Sequence, residues 1–280
     1  VSKLSQPNFK IVNIEGNTMM MDIITNNKTE IQIQNLASGL YFLQLYDHYN
    51  LLKTSKRPVI IAGNGINISE ASDEFNELIE LAKIPVVTPR LGIDLLDGNN
   101  CCSIGRIGIK GDRAGNLALQ NSDLVLTIGT RLSINATGHE YESFAREAKL
   151  FVVDIDIVEH SKNTVKIDEF IQCDALVFIK KMIAKYKLDS IEIKKDWIEK
   201  CNDWKNKYPV VLPEYSQNEN LINTYYFTDR LSEALNDKDA IIIVTVGGKA
   251  EHYTPQGMYE TTIGELLRSL TLSLKVNQIE

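Results

Sequence analysis

The sequence predicts an α/β fold: a six-stranded, mostly parallel sheet with helices on both faces, preceded by a small β-rich unit. Three observations carry this. Residues 51–187 alternate short, continuously apolar runs with amphipathic segments of helix length, the pattern of strands buried on both faces. The runs end in glycine, threonine or aspartate, as in Ile61-Ala-Gly63, Ile128-Gly-Thr130 and Val153-Asp154, and open α/β sheets place their ligand crevice at such carboxyl ends. Residues 1–50 instead alternate apolar and polar side chains, as half-buried antiparallel strands do.

In chain order, strands are expected at Ile11–Gly16, Met19–Ile24, Glu30–Gln34 and Leu40–Leu45, with Glu15-Gly16 and Asn26-Asn27 as turns. Val59–Ile61 opens the parallel sheet. Ser69 is expected to cap a helix that turns Phe75, Leu78, Ile79 and Ala82 to one side. Pro85–Thr88 is the next strand, and Asp112 caps a helix reaching about Asn121. Leu124–Ile128, Leu150–Val153 and Phe170–Cys173 complete the strands that can be placed, five of the six, and Ala175–Tyr186 is the helix after them. Val59, Ile61, Val86, Leu124, Leu126, Ile128, Val152 and Ile171 should form the core. Residues 188–236 read as a helical linker. In it Trp197 and Trp204 share one face of a helix that Pro209 and Pro213 end, and Thr228 caps Asp229–Leu235. Residues 237–280 add a strand at Ala240–Thr245 and an amphipathic helix at Ile263–Leu272.

Composition narrows the function. Of 280 residues, 44% are hydrophobic and 24% charged, ordinary for a soluble globular chain. A net charge of -7 argues against a nucleic-acid surface, which needs a basic stripe. No apolar stretch approaches the roughly 18 residues of a membrane span, and no signal peptide is visible. Cys101, Cys102, Cys173 and Cys201 show no CxxC spacing, and His48, His139, His160 and His252 offer no zinc pattern. Reduced cysteines and a cytoplasmic location are the expectation.

Gly63-Asn64-Gly65 follows the first parallel strand. Two glycines let the backbone approach a diphosphate, or serve a tight turn that needs positive φ. The dinucleotide fingerprint is incomplete: Ile68 stands at its third glycine, and no acidic residue follows about 20 positions on. Arg131 ends another strand and could face an adenine ring or a diphosphate, or make an interdomain salt bridge. Asp154 and Asp156, two apart, point to one face, which suits a ribose diol or backbone amides, or else helix capping. Lys110 could contact an anion, with Asp112 as a plain N-cap and Arg113 solvated. His139 and Glu140 join no serine in a nucleophilic triad.

Together these motifs resemble the thiamine-diphosphate-dependent enzymes of the acetolactate synthase type. Lys56–Gly65, Arg90-Leu-Gly-Ile-Asp94, Gly108-Ile-Lys-Gly111, Asp123–Arg131, Phe144–Lys149 and Leu150–Asp156 follow in family order and cover the central domain, a Rossmann-like sheet of the DHS-like NAD/FAD-binding kind. Residues 237–280 resemble the start of the diphosphate-binding domain. The resemblance implies thiamine diphosphate and Mg2+, a small 2-oxo acid such as pyruvate, and carboligase or decarboxylase (transferase or lyase) chemistry. It also implies a homo-oligomer or partner chains; separately, Ile263, Leu266, Leu267 and Leu270 would form an exposed apolar patch of the kind that marks an interface. It further implies FAD or ADP across the strand ends. Gly63, Asn64 and Gly65 would then approach the diphosphate, Thr88 and Arg90 border it, Arg131 pair with it, and Asp154 and Asp156 lie near the adenosine. The pattern departs from the family in two places. Fifty β-patterned residues do not supply the domain that carries the catalytic glutamate. Val244-Thr-Val-Gly-Gly248 stands where the family has an aspartate, and the sequence stops before the metal motif. This chain alone is therefore expected to be inactive, and a non-catalytic adenine-nucleotide-binding or scaffolding module is the alternative. Asn35-Leu-Ala-Ser-Gly-Leu-Tyr-Phe42 separately resembles C-terminal sorting modules of type IX secretion, at the opposite end of the chain from where those act; plain β packing is the other account.

Overall fold

The computed structural model describes residues 8–13, 18–23, 36–37, 41–46, 48–188, 194–217, 222–234, 251–254 and 257–260. Two compact units result, one from within 1–55 and 184–192, the other from within 56–183 and 193–280.

In the first unit, β1 (Asn8–Asn13), β2 (Thr18–Ile23) and β3 (Tyr41–Tyr46) form an antiparallel sheet in the order β2-β1-β3. The β1–β2 register shifts between Ile11 and Val12, which face Met20 and Thr18, so Met19 is bulged out. Helix α1 (His48–Thr54) follows. The expected strand at Glu30–Gln34 lies outside the described residues.

The second unit is the α/β sheet. Along the chain run β4 (Pro58–Ala62), α2 (Gly65–Ile68), α3 (Ser72–Ala82), β5 (Val86–Thr88), β6 (Ser103–Arg106) and α4 (Arg113–Gln120). Then come β7 (Leu124–Ile128), α5 (Ile134–Thr137), β8 (Lys149–Asp154), α6 (Ile157–His160), β9 (Glu169–Gln172) and α7 (Ala175–Leu188), whose residues from 184 on are counted with the first unit. After them stand α8 (Lys195–Lys207), α9 (Thr224–Ala234) and a hairpin of β10 (Glu251–Thr254) and β11 (Gly257–Glu260). Six strands lie in the order β6-β5-β4-β7-β8-β9, every neighbouring pair parallel. Counted from β4 this is 3-2-1-4-5-6, the doubly wound order whose direction reverses between the first and fourth strands.

The eight expected core residues are all buried, from 0% to 7% exposed. Each such aliphatic side chain stabilises the fold by about 1.5–3 kcal/mol relative to exposure. The strand that sequence periodicity could not place is β6. Its Ser-Ile-Gly-Arg alternates half-buried and buried positions, because it is the sheet edge, covered from one side by α4 and α8.

Helix α8, within the segment expected as a linker, packs into this core. Trp197 and Cys201 are buried, and Trp197 Nε1–H donates to the Pro58 carbonyl at 3.0 Å. Trp204 meets Trp197 edge-on with ring centroids 5.8 Å apart. Lys205 Nζ donates to the carbonyls of Gly98 and Ser103, both at 2.7 Å.

Ser69 and Thr228 do not cap the helices expected of them. Glu70 takes a left-handed φ of 55°, which separates α2 from α3. Ser69 therefore closes α2, its hydroxyl donating to Ile66 O at 3.0 Å, and α3 begins at Ser72. Thr228 lies inside α9, donating to Thr224 O at 2.7 Å, whereas Asn223 Oδ1 caps the helix by accepting from the amides of Tyr225 and Tyr226. The Ala240–Thr245 strand and the Ile263–Leu272 helix lie outside the described residues.

Candidate functional site

The chain leaves β4 and β7, the two central strands, toward opposite sides, and their carboxyl ends bound a crevice. Gly63 N–H donates to Ile128 O at 2.9 Å and Gly65 N–H to Gly129 O at 2.8 Å. A Cβ on Gly63 would lie 2.3 Å from Gly129 O, and one on Gly65 would lie 2.6 Å from Gly129 Cα. Neither Gly63 nor Gly65 has positive φ; Gly129 does, at 61°. The two glycines are thus required by backbone-to-backbone approach across the switch point, which corrects the expectation of a positive-φ turn.

A cavity of about 1090 Å³ opens on this junction. Asn64, Gly65, Arg90, Arg131, Asp154 and Asp156 line it, while Gly63 and Thr88 do not. Thr88 is buried at the end of β5, where its carbonyl accepts from Ile107 N at 2.9 Å. Arg90 opens a 3-10 turn, Arg90–Gly92, after Pro89.

Arg131 is largely exposed along its side chain and pairs with Glu159 Oε2 at 2.9 Å, a partner within the same unit. Lys162 also contacts Glu159. Hydrogen bonds from Arg131 and then Lys162 pull the Glu159 carboxyl down to about 2 from an ordinary 4.5. Asp156 Oδ1 accepts from the Glu159 amide at 2.9 Å and so caps α6. Asp154 Oδ1 accepts from Asp156 N at 3.0 Å, while Oδ2 stands 3.5 Å from His160 Nε2. Burial works to raise the Asp154 pKa, but His160 and the Asp156 amide outweigh it and hold it below the usual range.

Asp112 does not cap α4 with its side chain. Its Oδ2 accepts from Arg106 N at 2.7 Å and its Oδ1 from Arg106 Nη2 at 2.9 Å, with both side chains under one-tenth exposed. A charge-assisted bond to a buried guanidinium outcompetes a neutral amide cap. Gly105, at φ 129°, leaves room for that carboxylate, since a Cβ there would stand 2.8 Å from Asp112 Oδ2. Arg113 is exposed, as expected, with its guanidinium over the Tyr208 ring at 4.5 Å.

Sequence reasoning missed Arg106, Glu159, His160 and Lys162, all of which line the cavity. An arginine in a short glycine-bearing run, six residues before an aspartate, was the one signal for Arg106. Glu159 and His160 sit on a single helical turn beyond β8, with Lys162 just after it, too short a stretch for periodicity to reveal. The mouth is apolar: Ile68, Leu91, Ile109 and Ile155 are each more than half exposed around it. Arginines and lysines, carboxylates interleaved with them around Glu159, and exposed aliphatic groups equip the crevice to hold a ligand that is part anion, part hydroxyl-bearing and part flat and apolar. Among the described residues, no group of three or more His, Cys, Asp or Glu side chains could hold a metal ion. No helix among them is long and apolar enough to cross a membrane.

Comparison with known proteins adds independent findings. Residues 47–182 match the family described as thiamine pyrophosphate enzyme, central domain. Residues 2–61 match the secretion system C-terminal sorting domain, overlapping the first match. A probable acetolactate synthase large subunit of Methanocaldococcus jannaschii is 34% identical over 210 residues, covering 73% of this chain and 35% of that protein. The probable large subunit of Methanococcus aeolicus is 36% identical over 174 residues, covering 58% and 28%. The acetolactate synthase of Mycobacterium bovis is 32% identical over 208 residues, covering 73% and 33%. The chain spans about a third of the length of these relatives.

Proposed function

Residues 47–182 belong to the thiamine pyrophosphate enzyme central-domain family, and on that premise we propose that the chain is the central-domain part of an acetolactate-synthase-like 2-oxo acid carboligase or decarboxylase. In this proposal it is inactive alone and binds an adenine nucleotide, ADP or the ADP part of FAD, across the strand ends. The crevice at the β4–β7 switch point carries the proposal, because its floor is main chain and its walls offer both cations and carboxylates. Gly65 and Asn64 present backbone to a diphosphate, with Gly63 behind them; Arg131 and Arg90 supply charge, with Thr88 behind the wall. Asp154 and Asp156 accept from ribose hydroxyls. FAD when bound would bring a redox-capable ring, and ADP none; this chain's residues bind and orient.

Thiamine diphosphate, Mg2+ and the 2-oxo acid enter the proposal through partner domains or partner chains, in a homo-oligomer or a larger assembly. The described residues offer no cluster for the metal, and Val244–Gly248 with the segment after Glu260 lies outside them. A cytoplasmic location belongs to the same proposal, supported by four cysteines that are all free; the sorting-domain match over residues 2–61 favours export instead. Cell fractionation decides between the two.

Calorimetric titration with ADP and with FAD tests the nucleotide. Binding should weaken in Arg131→Ala and Asp154→Ala, and binding indifferent to both would place the ligand elsewhere. Pyruvate consumption with thiamine diphosphate and Mg2+ tests completeness: turnover by this chain alone would overturn the claim that it is inactive. A scaffolding module without nucleotide is the second account, favoured by Arg131 being already paired with Glu159.

A further inference from the structure

His160 is the feature of the crevice that the nucleotide proposal leaves without a role. Its side chain is 3% exposed and lines the cavity, yet Nε2 has no hydrogen-bond partner among the described residues. A buried ring nitrogen without a partner costs free energy unless something engages it. The ring is held in place by Phe170 of β9, with centroids 5.3 Å apart. Asp154 Oδ2 stands 3.5 Å away, at the outer limit of hydrogen-bond reach. The other Asp154 oxygen is committed to the Asp156 amide, so Oδ2 is the oxygen that can turn to a ligand.

We propose that His160 is a positioning residue for ligand recognition: it holds Asp154 Oδ2 so that this oxygen accepts a hydroxyl of a ribose in the crevice. A small shift of either side chain closes the 3.5 Å gap to a donated hydrogen bond. That bond fixes the carboxylate plane, and a fixed acceptor discriminates a ligand hydroxyl from its absence far better than a mobile one. The inference rests on the nucleotide proposal and adds the ligand group that is recognised and the residue that makes the recognition sharp.

The test is calorimetry of the full chain with ADP, 2′-deoxy-ADP and 3′-deoxy-ADP, on the native protein, His160→Leu and His160→Gln, each checked for native melting. The native chain should bind ADP about 10-fold or more tightly than at least one deoxy analogue, the factor of a hydrogen bond to a charged group. His160→Leu should bring that ratio close to one while leaving the deoxy analogue's affinity nearly unchanged. His160→Gln, whose amide N–H can reach the same oxygen, should restore much of the ratio. If the native chain binds ADP but His160→Leu keeps the ratio, or weakens all three ligands equally, the positioning role is overturned and the nucleotide proposal stands. If the native chain binds none of the three, both fall.

Discussion

Asp112→Asn tests the buried pair under the cavity. The replacement is isosteric and keeps an oxygen for the Arg106 amide, but it removes the negative charge 2.9 Å from Arg106 Nη2. Arginine stays charged at any accessible pH, so a cation under one-tenth exposed is left without its counter-charge. Breaking such a pair by removing one partner costs about 3–5 kcal/mol. Arg106 borders the cavity and makes further interactions, which places the expected loss at the lower end, about 3 kcal/mol. For a chain of this size that lowers Tm by roughly 6–12 °C. Urea unfolding followed by tryptophan fluorescence is the assay, because Trp197 is buried against the same sheet and reports its loss. Arg106→Met combined with Asp112→Leu supplies the comparison: removing both charges should cost clearly less than removing one. A single variant within about 1 kcal/mol of the native chain, or a double variant worse than the single by a full increment, would refute the reasoning.

Other outcomes follow from the same geometry. Gly65→Ala places a Cβ 2.6 Å from Gly129 Cα; it should destabilise the chain by about 1–3 kcal/mol, as overpacking does, and abolish ADP binding in calorimetry. Glu159 is folded with its pKa depressed to about 2, so its contribution is complete above about 4.5 and lost as pH falls toward 2. Acid unfolding of Glu159→Gln should therefore be flatter than that of the native chain across that window, and equal slopes would contradict the Arg131 and Lys162 contacts. Burial pushes the Cys102 and Cys201 thiols up to about 12. A thiol reagent at pH 8 should label exposed Cys101 first, reaching Cys102 and Cys201 only on unfolding, as read by mass spectrometry of peptides.

Most of the strands legible in the sequence were those buried on both faces, where continuous apolar runs such as Val59-Ile-Ile and Leu124-Val-Leu stand out. β6 escaped because its run carries serine, glycine and arginine in place of a continuous apolar stretch, and its Ser103 finds a partner on α8, about a hundred residues on. At the site, Asn64, Gly65, Arg90, Arg131, Asp154 and Asp156 were legible as cavity residues because they follow strand ends. Asp112 was misjudged because a cap depends on a local amide, and nothing local announces that a buried arginine competes for the carboxylate. His160 and Glu159 were invisible for a related reason: their roles arise from Arg131 beyond β7, Asp154 on β8 and Phe170 on β9, which the fold brings within reach.

The close contact of Gly63 and Gly65 with Gly129 divides the crevice into two classes of position with opposite tolerance for change. At its floor even one methyl group meets main chain, so every viable descendant of this sequence inherits the same floor. The aliphatic mouth formed by Ile68, Leu91, Ile109 and Ile155 projects into open space, where substitution costs the fold little. Divergence in what this crevice accepts is thereby channelled to its mouth, and a saturation scan should draw that boundary within one short helix, intolerant at Gly65 and permissive three positions later at Ile68.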